Sequence, residues 1–373
     1  MRIATPGTAS ISGVDMSDDA TGVQTSTPDR IRRPLRCGEP TVHEFSTADG
    51  VQLRLTRFQG GTKGPVILTP GFGTSSIAYT IDTTDTNYPE FLFERGYDVW
   101  VLDYRASPLL PSGSTQFTLD DIARYDYPAA VDTVREIAGV EDVQIMAHCV
   151  GSLTLLMALS LGLTGIRSSV ASQLTLHPRA GALNELRAGI YAANVMDALG
   201  IDSLTTEFDD DPSLFEKLYD KALSIYPSGE EPCDRPFCRR VMFMYGEVYD
   251  HDRINEATHD HLEEAFGVAN IKTLTQITKI LREDHAVSFD GDHDYLDGAA
   301  NMLAPIDFIH GEHNRLFLPE GSALTYEWLR EANGPERYSR TIIPGYSHMD
   351  CFVGADAARD VYPTVTALLD RFN

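Results

Sequence analysis

Val143-Gln144-Ile145-Met146-Ala147-His148-Cys149-Val150-Gly151-Ser152 is the stretch on which the reading of this chain turns. Residues 143–148 form a short apolar run of strand length. CVGSLTLLMALSLGL follows directly and reads as an apolar helix. Between strand and helix lies a tight turn with Ala147 two residues before Cys149 and Gly151 two residues after it. Working outward, the same alternation recurs. PVILTP (65–70), YDVWVLD (97–103), SVASQLTLH (169–177), IDFIHG (306–311) and RTIIPG (340–345) are apolar runs separated by helical stretches such as FTLDDIARYDYPAAVDTVREIAG and residues 357–371. Continuous apolar strands alternating with helices imply an α/β protein with a mostly parallel sheet buried on both faces. Upstream, TVHEFSTADGVQLRLTRF alternates apolar and polar residues around Ala48-Asp49-Gly50, a β-hairpin signal.

The alternation is interrupted in two places. Residues 1–38 are rich in Thr, Ser, Asp, Gly and Pro, and read as a disordered or extended arm ending in the basic RIRRPLR. Residues 179–303 are helix-like, acidic and broken by Pro and Gly, with EFDDDPSLFEKLYDKAL and INEATHDHLEEAF as examples. A block of that size between two sheet strands is most simply a helical cap inserted over the sheet's carboxyl edge. The core is then 39–178 together with 304–373.

Of 373 residues, 55 are acidic and 30 basic, a net charge of −25. Phosphate binding needs Lys and Arg to displace counterions, so nucleic acid is a poor partner for this chain. An anionic membrane face is disfavoured for the same reason. No apolar run approaches the roughly 20 residues that span a bilayer. MRIATPGTASISGVDMSDDA has no apolar h-region and does not read as a secretory signal, so a cytoplasmic location is expected. Five scattered cysteines (Cys37, Cys149, Cys233, Cys238, Cys351) do not make a disulfide scaffold and direct attention to single reactive thiols.

The strand–turn–helix at Cys149 resembles the nucleophile elbow of the α/β-hydrolase superfamily, in which small residues on either side of the nucleophile let strand and helix pack closely. The resemblance spans residues 41–373. It implies the α/β-hydrolase fold, a mostly parallel central sheet flanked by helices and carrying a helical cap insertion. Ala147 stands where a Gly is usual, and Cys149 where Ser is usual. A thiol ionises near 8.5 when unperturbed, and lower at a helix N-terminus or beside His. The resemblance places the general base after the last strand, at His348 in Ile343-Pro344-Gly345-Tyr346-Ser347-His348-Met349-Asp350. It would take the thiol proton and later protonate the leaving group. His148, although adjacent, cannot easily bend back to the sulfur and is expected to pack or to line the substrate pocket.

An acid is implied at the end of Gly311-Glu312-His313-Asn314, and the residue there is Asn314. A Cys–His pair can rest as thiolate–imidazolium, and an amide oxygen then suffices to orient the ring. Glu312 and Asp350 are the alternatives. The oxyanion hole would use the backbone amides of Phe72 and Val150, with Gly71 and Gly73 shaping the turn Pro70-Gly71-Phe72-Gly73 against substrate. These two glycines do not make a dinucleotide fingerprint, because the third Gly is missing. Asp103-Tyr104-Arg105 is expected to brace loops. Cys233-x4-Cys238 lacks the second matched pair that would mark a zinc site, and Asp250-His251-Asp252 with Thr258-His259-Asp260-His261 could bind a divalent ion but reads first as a solvated acidic face. Neither a metal nor a cofactor is therefore expected. Cys351, three residues beyond His348, is a candidate for oxidation with another thiol.

DDIARYDYPAAVDTV and GYSHMDCF are similar to segments of the acid-lipase branch. FIHGEHNRLFLPEGS and IPGYSHMDCFVG are similar to α/β-hydrolase domains attached to glucose–methanol–choline type, cholesterol oxidase-like oxidoreductases. No flavin-binding portion is read in the chain, so no redox activity is carried over. Dienelactone hydrolases and polyhydroxyalkanoate synthases resemble the chain at the Cys elbow, but keep an Asp. The expected function is acyl-group chemistry on a small-molecule ester or thioester, a carrier-bound donor included, through an acyl-Cys intermediate. Water or another acceptor would complete an esterase, thioesterase or acyltransferase reaction. The alternatives are a cap-covered ligand-binding protein and a non-hydrolytic lyase or cyclase.

Overall fold

The computed structural model describes residues 32–181, 202–206, 233 and 235–373. Eight strands form one sheet in the order β1-β2-β4-β3-β5-β6-β9-β10. They are β1 (Thr41–Ser46), β2 (Gln52–Phe58), β3 (Pro65–Thr69), β4 (Asp98–Asp103), β5 (Val143–His148), β6 (Ile166–Ser172), β9 (Ile306–Gly311) and β10 (Tyr338–Ile343). The hairpin strands β1 and β2 pair antiparallel, β2 pairs antiparallel with β4, and every later pairing is parallel. Strands β3, β4, β5 and β9 are buried along their whole length, as their unbroken apolar sequences require when helices cover both faces. This is the α/β-hydrolase fold.

Helix α1 (Tyr88–Glu94) starts at an Asn87–Glu90 capping box. The buried Glu90 also receives Arg33 at 2.6 Å and the backbone N–H of Arg36 at 2.8 Å, so the basic end of the N-terminal arm is fastened to the core. Helix α2 (Tyr127–Ala138) ends at Gly139, whose φ of 68° supplies the left-handed cap. It is preceded by a π-turn over Ile122–Asp126, not by the single continuous helix that the sequence suggests. Helix α3 (Val150–Ser160), directly after the elbow, is buried on every side. The segment Tyr295–Asn301 covers its far end: Ser160 Oγ donates to Tyr295 O at 2.6 Å and Asn301 Nδ2 to Ser160 O at 2.7 Å.

The insertion is not wholly helical. Its short strands β7 (Ser203–Thr205) and β8 (Val268–Asn270) form an antiparallel ribbon. Around them lie α4 (Pro236–Met244), α5 (Glu256–His261) and α6 (Ile271–Glu283). EFDDDPSLFEKLYDKAL lies outside the described residues. Helices α7 (Pro319–Asn333) and α8 (Tyr362–Asp370) follow β9 and β10, and the expected closing helix over 357–371 is broken at Val361 into a short turn and α8. Among the described residues no helix is long and apolar enough to cross a membrane.

Candidate active site

In register, Thr69 on β3 pairs with Ala147 on β5. The turn after β3 and the elbow after β5 therefore emerge side by side at the carboxyl edge of the sheet, where open α/β sheets hold their ligands. Cys149 sits in a left-handed conformation, φ 55° and ψ −126°, which is costly for any residue with a Cβ and marks a position held by its surroundings. Helix α3 then crosses so close to β3 that a Cβ on Gly151 would lie 2.5 Å from Pro70 O, so only Gly fits. Gly71 lies directly beneath the sulfur: a Cβ there would sit 3.6 Å from Cys149 Sγ. Gly73 has φ 65°, and a Cβ would collide with Tyr245 Oη at 2.0 Å.

Buried tyrosines lock these turns. Tyr104 Oη donates to Gly71 O at 2.8 Å and Tyr127 Oη to Gly151 O at 2.5 Å. Asp103 accepts from Ser76 N at 2.8 Å and from Arg54 at 2.7 Å, while Arg105 pairs with Asp126 at 2.7 Å and Asp49 at 3.0 Å. The Asp103-Tyr104-Arg105 stretch braces loops, as expected from sequence.

Cys149 is buried, and burial pushes its thiol up to about 12, opposed by the backbone N–H groups of Val150 and Phe72 that point at the sulfur. The cavity above it is lined by Gly71, Phe72, His148, Cys149, Val150 and His348, with a roof of Met244, Tyr245, Val248, Phe266, Leu274, Ile277 and Leu281 from the insertion. The space between atoms there is about 780 Å³, open solvent included.

His348 is buried in the loop after β10, and its ring lies 4.6 Å from that of His148. Burial holds its pKa well below the ordinary imidazole value, and the neighbouring His148 and His310 add to the effect. His148 is likewise lowered, to about 3, and its Nε2 is buried without a hydrogen-bond partner. The Cys149 and His348 shifts both favour the neutral thiol and the neutral imidazole over the thiolate–imidazolium pair allowed for in the sequence reading. Cys149 and His348 share the cavity without a direct hydrogen bond.

Of the three residues considered for orienting the ring, Asn314 meets it, with Nδ2 at 3.0 Å from His348 Nδ1. Glu312 is exposed and accepts from Gly345 N at 2.9 Å. Asp350 is buried and accepts from Ser347 N at 2.9 Å, with its carboxyl pushed up to about 7 by burial. The amide of Asn314 has a fixed sense. Its Oδ1 accepts the N–H groups of Leu316 and Phe317, both at 3.0 Å, so Nδ2 must face the other way. There it donates to Gln173 Oε1 at 2.8 Å and to His348 Nδ1. Gln173 Oε1 is fixed as an acceptor by Gly311 N at 3.0 Å, and His310 Nε2 donates to Phe317 O at 2.8 Å. This network assigns the proton of neutral His348 to Nε2, the nitrogen left for the cavity. An aspartate would accept from Nδ1 and assign the opposite tautomer.

Gln173 has no counterpart in the sequence reading. It directly follows β6 with φ 73°, and its Nε2 donates to Cys351 Sγ at 3.2 Å. Cys351 also donates to Ser347 O at 3.6 Å, so its described contacts are structural. The His251 and His259 side chains, read from sequence as part of a solvated face, instead turn inward onto Cys233 and Cys238.

No protein-family model matches the chain. It is 26% identical over 365 residues to lipase lipl-1 of Caenorhabditis elegans, covering 89% of this chain and 88% of that protein. Among solved structures it is similar to a monoacylglycerol lipase of Paleococcus ferrophilus, with a TM-score of 0.55, 16% identity, and 86% and 99% of the two chains covered. It is also similar to the esterase Pf2001 of Pyrococcus furiosus, with a TM-score of 0.52, 17% identity, and 90% and 93% covered. With its parallel sheet, its elbow at the carboxyl edge and these similarities, the chain has the α/β-hydrolase fold and is similar to lipases along most of its length.

Proposed function

We propose that the protein performs acyl-group chemistry on an ester or thioester with an apolar acyl chain, through an acyl-Cys149 intermediate. The lipase and esterase relatives support ester hydrolysis in general. The observation that carries the finer reading is the convergence of the Phe72 and Val150 N–H groups on the sulfur of a strained elbow, beneath an apolar cavity. In this reading Sγ attacks the carbonyl carbon, an S–C bond forms, and the carbonyl electron pair moves to an oxygen held by those two N–H groups. Collapse of that oxyanion breaks the bond to the leaving group, which takes a proton. The Nε2–H of His348 faces the cavity and is suited to deliver it.

The cost lies in the first proton transfer. To accept the thiol proton at Nε2, His348 must carry its own at Nδ1, where it would meet the N–H of Asn314. One buried donor left unsatisfied costs about 1–3 kcal/mol, or roughly 5- to 150-fold in rate. Catalysis is slowed and not abolished. Thioesters are favoured over alkyl esters, because a thiolate leaves with less proton assistance.

The donor face of Asn314 also favours a second reading, a ligand-binding protein or a lyase that uses the same cavity without an acyl-enzyme. Hydrolysis of a chain-length series of p-nitrophenyl esters and matching thioesters, in wild type and Cys149→Ala, separates the two. The proposal expects a chain-length optimum and a fall of at least about 10³-fold in the variant. Equal rates in both proteins would overturn it.

A further inference from the structure

We infer that the insertion contains a structural divalent-metal site, suited to Zn²⁺, formed by Cys233, Cys238, His251 and His259. One ligand atom from each of the four lies within 4.8 Å of all the others. Cys238 Sγ is 3.0 Å and Cys233 Sγ 3.6 Å from His259 Nε2, and the two imidazole centroids are 5.0 Å apart. Tetrahedral zinc with two thiolates and two imidazoles spaces its ligand atoms about 3.3–3.8 Å apart, as follows from its bond lengths. A small inward movement of four side chains therefore closes the site. All four positions are filled by protein, which is the pattern of a structural centre and not of a catalytic one.

The ligands come from separate elements: Cys233 before α4, Cys238 in its first turn, His251 in the turn His251–Arg253, and His259 on α5. Tyr249 Oη, 3.2 Å from Cys238 Sγ, supplies an outer hydrogen bond to a ligand sulfur. Binding one Zn²⁺ would release two thiol protons, and two thiolates neutralise the cation, which suits a site where Cys238 is buried and the other three ligands are half-buried. None of the four lines the cavity above Cys149. The cation would nevertheless act on that cavity: Met244 and Tyr245 at the end of α4, and Val248 just beyond, lie between the ligands and line its wall. Pinning both ends of this stretch would hold the roof in place.

The test uses the full-length, untagged protein, stripped with chelator under reducing conditions, then given Zn²⁺ or Co²⁺ alone and desalted. One metal per chain is expected, with thiolate-to-cobalt charge transfer and the visible bands of tetrahedral Co²⁺. Cys149→Ser should keep that stoichiometry, so the outcome is independent of the role proposed for Cys149. The double variant Cys233→Ser/Cys238→Ser should retain roughly one-tenth or less of the metal. If it fails to fold, the wild-type cobalt spectrum still decides. A folded, reduced wild type that holds neither metal would overturn the inference. So would a Cys233–Cys238 disulfide that persists under these conditions, or full metal retention by the double variant.

Discussion

Cys149 and Cys238 are both buried thiols pushed up to about 12, and they differ in what faces the sulfur. Cys149 faces two backbone N–H groups and an open apolar cavity, on a backbone twisted to φ 55°. Cys238 faces a second thiol, an imidazole and a tyrosine hydroxyl, on an ordinary helical turn. Burial raises each of them, but what would lower each differs. An attacking sulfur that has become a thioester no longer needs to be charged, and its oxygen inherits the N–H groups. The Cys238 thiol is lowered in part by the Tyr249 hydroxyl, and a bound cation would lower it further. Surroundings, more than residue type, separate the proposed nucleophile from the proposed ligand.

The contrast can be broken most severely at the elbow. Cys149→Ala is expected to lower kcat by about 10³-fold or more while leaving metal content unchanged. Cys149→Gly should lose activity equally but relieve the left-handed strain, raising stability by about 1–3 kcal/mol in a denaturant titration. A Cys149→Gly protein less stable than wild type would contradict the claim that the backbone is strained there.

Next in size is Asn314→Asp. A carboxylate would accept from His348 Nδ1 and remove the tautomer penalty, raising kcat about 5- to 150-fold. It would also raise the imidazole pKa. The wild-type rate should then show no acid limb near 6.5, because burial keeps His348 neutral far below that value. In the variant, a limb should appear as pH falls through the raised pKa, since an imidazolium cannot take the thiol proton. The new carboxylate would face Gln173 Oε1, so the gain is to be read from kcat and the pH profile and not from Tm. A lower kcat with an unaltered profile would favour the ligand-binding reading.

On the cap side, Tyr249→Phe removes the hydroxyl beside Cys238 and should weaken Zn²⁺ affinity by about 10-fold in a chelator competition, with kcat unchanged. The smallest effect is at Tyr127→Phe, which removes one hydrogen bond to Gly151 O and should cost about 1 kcal/mol in denaturant titration.

The sheet and the elbow were legible because their signal is local. Buried parallel strands must be continuously apolar, and residues 65–69, 98–103, 143–148 and 306–311 are. The Ala147–Cys149–Gly151 spacing is likewise a contact between sequence neighbours, and it is borne out by the clearance at Gly151. Asn314 was found through its place after β9, but its donor sense depends on Leu316, Phe317 and Gln173, which no motif marks. The four-residue cap cluster was split between two motifs, each weak alone. Cys233 and His259 are 26 positions apart, and only the fold of the insertion brings them together. The β7–β8 ribbon escaped for a related reason, since three-residue strands carry no usable period.

Acyl transfer by this protein is proposed to run through a covalent intermediate on Cys149. It is tested most directly by intact-protein mass spectrometry after rapid mixing with a panel of acyl thioesters and activated esters. A mass increase equal to one acyl group is expected, mapped by peptide analysis to Cys149 and absent in Cys149→Ala. An adduct mapped to another residue or persisting in Cys149→Ala, or turnover undiminished in Cys149→Ala, would rule it out.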